Sequence, residues 1–252
     1  MKMNIAMKGL LVILGESFRS GGQDSRVRGN PESVPEQMLA CDSHIRLIEH
    51  LKKTYNTDIS VFLATYTTPY DRELLHMYSK YLIDHKILGD VIGLNNLFRM
   101  ALHSTTISKY DFVFYVRVDL LLKKDLFAVF NPNLQTIHFP FVCWIKWNKF
   151  GNDPRVCDTF LFIPKKYYSY LPYINIYHGT WCELINRTNL TYDDMDTFAT
   201  TYHDSNTEND CNPFYSIVNR PEATTWFSEG HNFDKWRFFQ NRFSTESDTS
   251  LV

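Results

Sequence analysis

Three short, almost wholly apolar runs limit how this chain can fold. They lie at 9–14 (Gly-Leu-Leu-Val-Ile-Leu), 59–64 (Ile-Ser-Val-Phe-Leu-Ala) and 112–116 (Phe-Val-Phe-Tyr-Val). Each is too short for a buried helix and lacks the alternation of a strand with one wet face. Each therefore reads as a strand covered on both sides. Between the runs, apolar residues recur at helical spacing. Met38, Leu39, Ile45, Leu47, Ile48 and Leu51 form a stripe over Val34–Tyr55, with Pro35 near its start. Leu74, Leu75, Tyr78 and Leu82 form another over 71–85, and a third helix is expected over 95–104. Further strands are expected over 136–144 and 159–163, and the glycine- and arginine-rich 16–35 reads as a long loop. Strands alternating with helices predict an α/β, Rossmann-like fold: a mostly parallel sheet with helices on both faces.

The chain of 252 residues is long enough for one such domain, and no linker or internal repeat divides it. One domain is expected over 1–243, with a loose tail at 244–252. Lys and Arg total 26 against 28 Asp and Glu, a net charge of −2, so a generally basic nucleic-acid binder is excluded. No run approaches the roughly 18 apolar residues of a membrane span. Five scattered cysteines without a Cys-x-x-Cys pair fit free thiols in a reducing compartment. The apolar run 10–14 is too short for a signal-peptide core, and Lys8 precedes it. A cytoplasmic location is expected, and the sequons at Asn186 and Asn189 then read as chance occurrences.

In parallel sheets ligands sit beyond the carboxyl ends of the strands. Three segments would share that rim. The first, Gly15-Glu16-Ser17-Phe18-Arg19 continuing to Arg26 and Arg28, combines glycines with guanidinium groups. Glycines let backbone amides approach a ligand, and arginine forks match phosphate oxygens, so the segment suggests a diphosphate site. It matches neither Gly-x-Gly-x-x-Gly nor the P-loop. The second is the Tyr66 turn. The third is Arg117-Val118-Asp119, where Arg117 would hold phosphate or orient Asp119, and Asp119 would hold a divalent cation.

A strand followed by Arg117-Val118-Asp119 and then Leu-Leu-Leu-Lys-Lys resembles the metal-binding region of GT-A glycosyltransferases, in an Arg-x-Asp variant of their Asp-x-Asp motif. The segment Gly15-Glu-Ser-Phe-Arg-Ser-Gly-Gly-Gln is similar to openings in glycosyltransferase-like proteins of large DNA viruses, such as those infecting algae. The likeness spans about 8–165. It implies a GT-A-like fold, with a donor-binding half over about 8–125 and an acceptor half over about 126–243. It implies a nucleotide-sugar donor on Gly15, Glu16, Ser17, Arg19, Arg26, Arg28, Tyr66 and Arg117. It also implies a divalent metal, Mn2+ or Mg2+, on Asp119 and on the late His231. Arg117 stands where the family has its first Asp, and a site with one carboxylate holds metal more weakly.

An inverting transferase needs a carboxylate to take the acceptor proton. Asp158, before the 159–163 strand, is the first choice and Asp153 the second. The acidic stretch from Asp193 to Asp210 reads as a solvated face, with Glu208 and Asp210 as a fallback base. Trp144 and Trp147 would form an acceptor wall. The expected activity is transfer of a sugar from a UDP-sugar, UDP-xylose among the candidates, to a glycan hydroxyl. Two alternatives stay open: a sugar- or nucleotide-binding module without turnover, and a nucleotidyltransferase, which needs at least two metal-binding carboxylates together.

Overall fold

A computed structural model describes residues 6–21, 26–129, 133–139, 160–176, 181–197 and 215–218. In chain order the elements are β1 (Met7–Leu14), β2 (Arg19–Ser20), β3 (Val27–Arg28), α1 (Val34–Tyr55), β4 (Thr57–Tyr66), α2 (Asp71–Tyr78), β5 (Leu82–Leu88) and α3 (Leu94–Ser104). There follow β6 (Phe112–Arg117), β7 (Leu120–Leu122), α4 (Lys124–Val129), β8 (Ile137–Phe139), β9 (Phe160–Pro164), α5 (Trp181–Arg187), β10 (Met195–Thr197) and β11 (Tyr215–Ile217).

Seven strands form one sheet in the order β10-β8-β9-β6-β1-β4-β5. β1 pairs in parallel with β4 on one side and β6 on the other, and β4 pairs in parallel with β5. β9 alone runs antiparallel to its neighbours β6 and β8. The fold is thus α/β with a mostly parallel sheet, as the sequence predicts. The apolar runs explain themselves by the alternation of side chains across the sheet. Leu11 and Ile13 pack on one face with Leu47, Ile48 and Leu51 of α1 and Leu74 and Tyr78 of α2. Leu10, Val12 and Leu14 pack on the other with Leu97, Phe98 and Ala101 of α3. Gly9 is small for a local reason: a Cβ there would lie 2.3 Å from the Phe112 ring.

α1 spans the predicted bounds and ends at Asn56, whose left-handed backbone (φ 50°) turns the chain into β4. The helix predicted over 71–85 is corrected. It stops at Tyr78, and Leu82 begins β5, an edge strand of the described sheet. Leu82 falls at helical spacing from Tyr78, but the backbone N–H of Val61 in β4 donates to the Tyr81 carbonyl and starts a new pairing. The long loop expected over 16–35 is partly ordered as the β2–β3 hairpin and a 3-10 turn at Pro31–Ser33.

α1 also carries a buried histidine. His44 Nε2 lies 2.7 Å from the Leu120 carbonyl, and Nδ1 lies 2.7 Å from the Tyr78 hydroxyl. A carbonyl only accepts, so Nε2 carries the proton and Nδ1 accepts from Tyr78. Burial pushes the imidazole down to about 4, against the Leu120 hydrogen bond and the Asp119 charge, which raise it. The unfolded chain therefore binds a proton that the fold refuses between pH 6.5 and 4. Stability is complete above that window and falls as pH drops through it. Urea denaturation at pH 7 and pH 5 is expected to show a loss of about 2 kcal/mol from this group. A flat profile would mean that His44 is charged in the folded state.

Candidate functional site

The carboxyl ends of β1, β4 and β6 meet at one rim. Leu14 stands across from Ala64 on one side and from Arg117 on the other. Gly15 leaves β1 with φ 129°, a backbone that excludes other residues, and its N–H donates to the Ala64 carbonyl at 3.2 Å. Thr65 then fastens the exit. Its hydroxyl donates to the Gly15 carbonyl at 2.8 Å, and Ser17 meets Thr65 Oγ1 through its hydroxyl at 2.9 Å and its N–H at 3.3 Å.

Phe18 follows with φ 49°, costly for a bulky residue. Its neighbours hold it there. The ring is fully buried beside Tyr70, and the carbonyl accepts from the N–H groups of Gly29 and Asn30. Its N–H donates to Gln37 Oε1 at 3.0 Å, and Gln37 Nε2 donates to the Val118 carbonyl at 2.7 Å. Gln37 is thus a buried bracket. It ties the residue before Arg19 to the residue before Asp119.

Arg117 and Asp119 form a bidentate pair. Arg117 Nε donates to Asp119 Oδ1 at 2.9 Å, and Nη2 donates to Oδ2 at 2.6 Å. Both residues are buried. Arg19 stands close enough to feel them. Burial pulls its guanidinium pKa down, Asp119 and Glu16 oppose that, and Arg117 and Arg26 add to it. Arg19 is only 6% exposed and its Nη1 lies 3.6 Å from Glu16 Oε2, an ion pair beyond hydrogen-bond reach. Glu16 Oε1 accepts from Arg26 Nη1 at 3.1 Å. Arg19 Nε is buried with no acceptor among the described residues. Arg28 pairs with Arg19 across the β2–β3 hairpin, and its guanidinium lies over the Tyr66 ring at 5.5 Å. The Tyr66 hydroxyl accepts from the Gly93 N–H at 3.1 Å.

Gly15, Glu16, Ser17, Arg19, Arg26, Arg117 and Asp119 therefore form one connected group, with Arg28 and Tyr66 beside it. In the core of that group three guanidinium groups (Arg19, Arg26, Arg117) face two carboxylates (Glu16, Asp119). Among the described residues the group holds one buried N–H without an acceptor (Arg19 Nε) and one buried carboxylate oxygen without a donor (Glu16 Oε2), and it is the excess of positive charge that favours an anion. Asp158, Asp153, His231, Trp144 and Trp147 lie outside the described residues. Within the acidic stretch, Asp194 has a local task. It accepts from the Thr191 N–H and hydroxyl and from the Tyr167 hydroxyl, and the Thr191 bond leads in holding its carboxyl low.

A divalent ion fits the described residues poorly. Both Asp119 oxygens are already taken by Arg117. Among the described residues no three His, Cys, Asp or Glu side chains gather into a ligand set. Drawing Asp119 onto an ion would strand a buried guanidinium, a loss of about 3–5 kcal/mol.

No family model matches the chain, and no curated protein matches it. Solved structures that resemble it include glycosyltransferases. The catalytic domain of Drosophila beta1,4galactosyltransferase 7, in complex with xylobiose, aligns with 12% identity and a TM-score of 0.43 over 85% of this chain and 71% of that one. Staphylococcus aureus TarS 1-349 aligns with 10% identity and a TM-score of 0.42 over 98% and 76%. Streptococcus pneumoniae GlyE aligns with 14% identity and a TM-score of 0.41 over 98% and 67%. Superpositions this loose carry no argument about function, which rests on the residues of the rim. Among the described residues no helix is long and apolar enough to cross a membrane.

Proposed function

We propose that the chain is a glycosyltransferase that takes a nucleoside-diphosphate sugar and passes the sugar to a glycan hydroxyl. The observation that carries this reading is the buried Arg19 Nε–H, which has no acceptor among the described residues, on the segment that Gln37 ties to Arg117-Val118-Asp119 at the strand rim. A diphosphate supplies the missing acceptor and the missing negative charge. In the reaction the acceptor oxygen attacks the anomeric carbon while the bond from that carbon to the diphosphate breaks. A carboxylate takes the acceptor proton, and the electron pair leaves on phosphate, where Arg19 and Arg117 stabilise it. This course inverts the anomeric centre.

Topology supports Asp158 as the base, with Asp153 second. Because β9 runs backwards, its first residue, Phe160, stands across from Val116 at this same rim. Asp158 is two residues of chain from Phe160, and two residues span at most about 7 Å. β8 is parallel to β10 and antiparallel to β9, so it points the same way as β6. It ends at Phe139 and leads into the segment that carries Trp144 and Trp147, the proposed acceptor wall. The likeness of the opening segment to proteins of large DNA viruses supports glycan assembly in a host cell, with a UDP-pentose or UDP-hexose such as UDP-xylose as donor.

A thermal-shift panel of nucleotide sugars and nucleoside triphosphates tests the reading. UDP-sugars are expected to stabilise the chain and triphosphates alone are not; the reverse would favour a nucleotidyltransferase. Asp158→Asn is expected to keep donor binding and lose transfer by about 100-fold or more. Donor binding without any turnover in the unaltered chain would identify a binding module instead.

A further inference from the structure

A sugar nucleotide brings a diphosphate whose charge must be met, either by a divalent ion or by side-chain cations. Among the described residues the rim contains two carboxylates that an ion would need, Glu16 and Asp119, and both face arginines, with only Glu16 Oε2 lacking a hydrogen bond. Asp119 is gripped through both oxygens by Arg117, and Glu16 is bound by Arg26 and paired with Arg19. A divalent ion entering here would lie among three guanidinium groups, and the carboxylate oxygen left without a hydrogen bond, Glu16 Oε2, already stands 3.6 Å from Arg19 Nη1. Mg2+ and Mn2+ favour sites rich in carboxylate and other oxygen ligands. A phosphate oxygen entering here meets the Arg19 Nε–H, which is buried and has no acceptor among the described residues.

We propose that the rim binds its diphosphate directly on guanidinium groups, with no divalent ion between protein and phosphate. Arg19 donates to a phosphate oxygen, Arg117 supplies the neighbouring positive charge, and Asp119 is a positioning residue that fixes the Arg117 fork. Gln37 keeps these parts in register, since it holds Phe18 and Val118 together. This assignment rests on the nucleotide-sugar reading above and changes one part of it: Asp119 serves arginine, not metal.

Calorimetric titration of the full chain with UDP, GDP and their sugar conjugates, in EDTA and again in Mn2+, decides the matter. The dissociation constants are expected to agree within about twofold between the two buffers. Tightening of about tenfold or more in Mn2+, with loss of binding in EDTA, would overturn the proposal and leave the transferase reading standing. Asp119→Asn gives a second readout, in case an ion binds through other residues. Its loss of affinity is expected to be the same with and without Mn2+; a loss seen only in Mn2+ makes Asp119 an ion ligand and sinks the idea. If none of these compounds binds in either buffer, the nucleotide-sugar reading fails, and this inference with it.

Discussion

Replacing Arg19 by methionine is expected to weaken nucleotide-sugar binding by about 10- to 150-fold while leaving the melting temperature unchanged or raised. A hydrogen bond between a buried guanidinium and an anion is worth about 1.5–3 kcal/mol, which sets the range. The stability forecast follows from burial. The guanidinium is withdrawn from water, its Nε lacks an acceptor among the described residues, and its contact with Glu16 is long at 3.6 Å. Glu16 keeps Arg26 on Oε1, and Oε2, which has no hydrogen bond to lose, gives up only the long contact with Arg19. A methionine of similar length fills the space without the desolvation cost. Arg19→Lys is expected to restore only part of the affinity, because an ammonium retains the charge but loses the Nε–H and the fork. Titration calorimetry and a thermal melt on the same preparations read both effects. If the melting temperature falls together with affinity, Arg19 is holding the fold and not a ligand.

Gln37→Leu is expected to cost about 2–6 kcal/mol of folding stability and to reduce donor binding as well. Gln37 is fully buried and bridges backbone groups that lie 19 and 81 residues away in the chain. Leucine leaves the Phe18 N–H and the Val118 carbonyl buried without partners, at about 1–3 kcal/mol each. The Phe18 N–H matters doubly, because its bond helps hold a strained left-handed backbone just before Arg19. Released, the 15–20 segment loses its register against Arg117-Val118-Asp119. Urea titration measures the first effect and donor affinity the second. A loss below about 1 kcal/mol with intact binding would show that the bracket is dispensable.

Elements with strong periodicity were legible from sequence. The apolar runs became β1, β4 and β6, and the stripe of α1 was read to its true ends, because covered strands and long amphipathic helices are dictated locally. β5 was not legible. Leu82 continues the α2 stripe by spacing, while Asp84, His85 and Lys86 lack the apolar character of an inner strand. The rim could be inferred because strand order implies where carboxyl ends gather. The Arg117–Asp119 pairing, two residues apart, was visible as a possibility. Gln37 and Thr65 were missed: a lone Gln inside a helix and a Thr near a strand end look ordinary until distant backbone meets them. Arg28 lies over the Tyr66 ring, a contact that no spacing rule foretells.

The same β5 that was misread is an open edge among the described strands. Among the described strands it closes one side of the sheet and leaves a row of backbone donors and acceptors open to recruitment. Asp84 and Lys86 stand on it as a loose ion pair at 4.0 Å, with His85 exposed between them. A second molecule adding its own strand there would have to strip water from these charges, so the border guards itself against edge-to-edge aggregation even though Ile83 is exposed beside them.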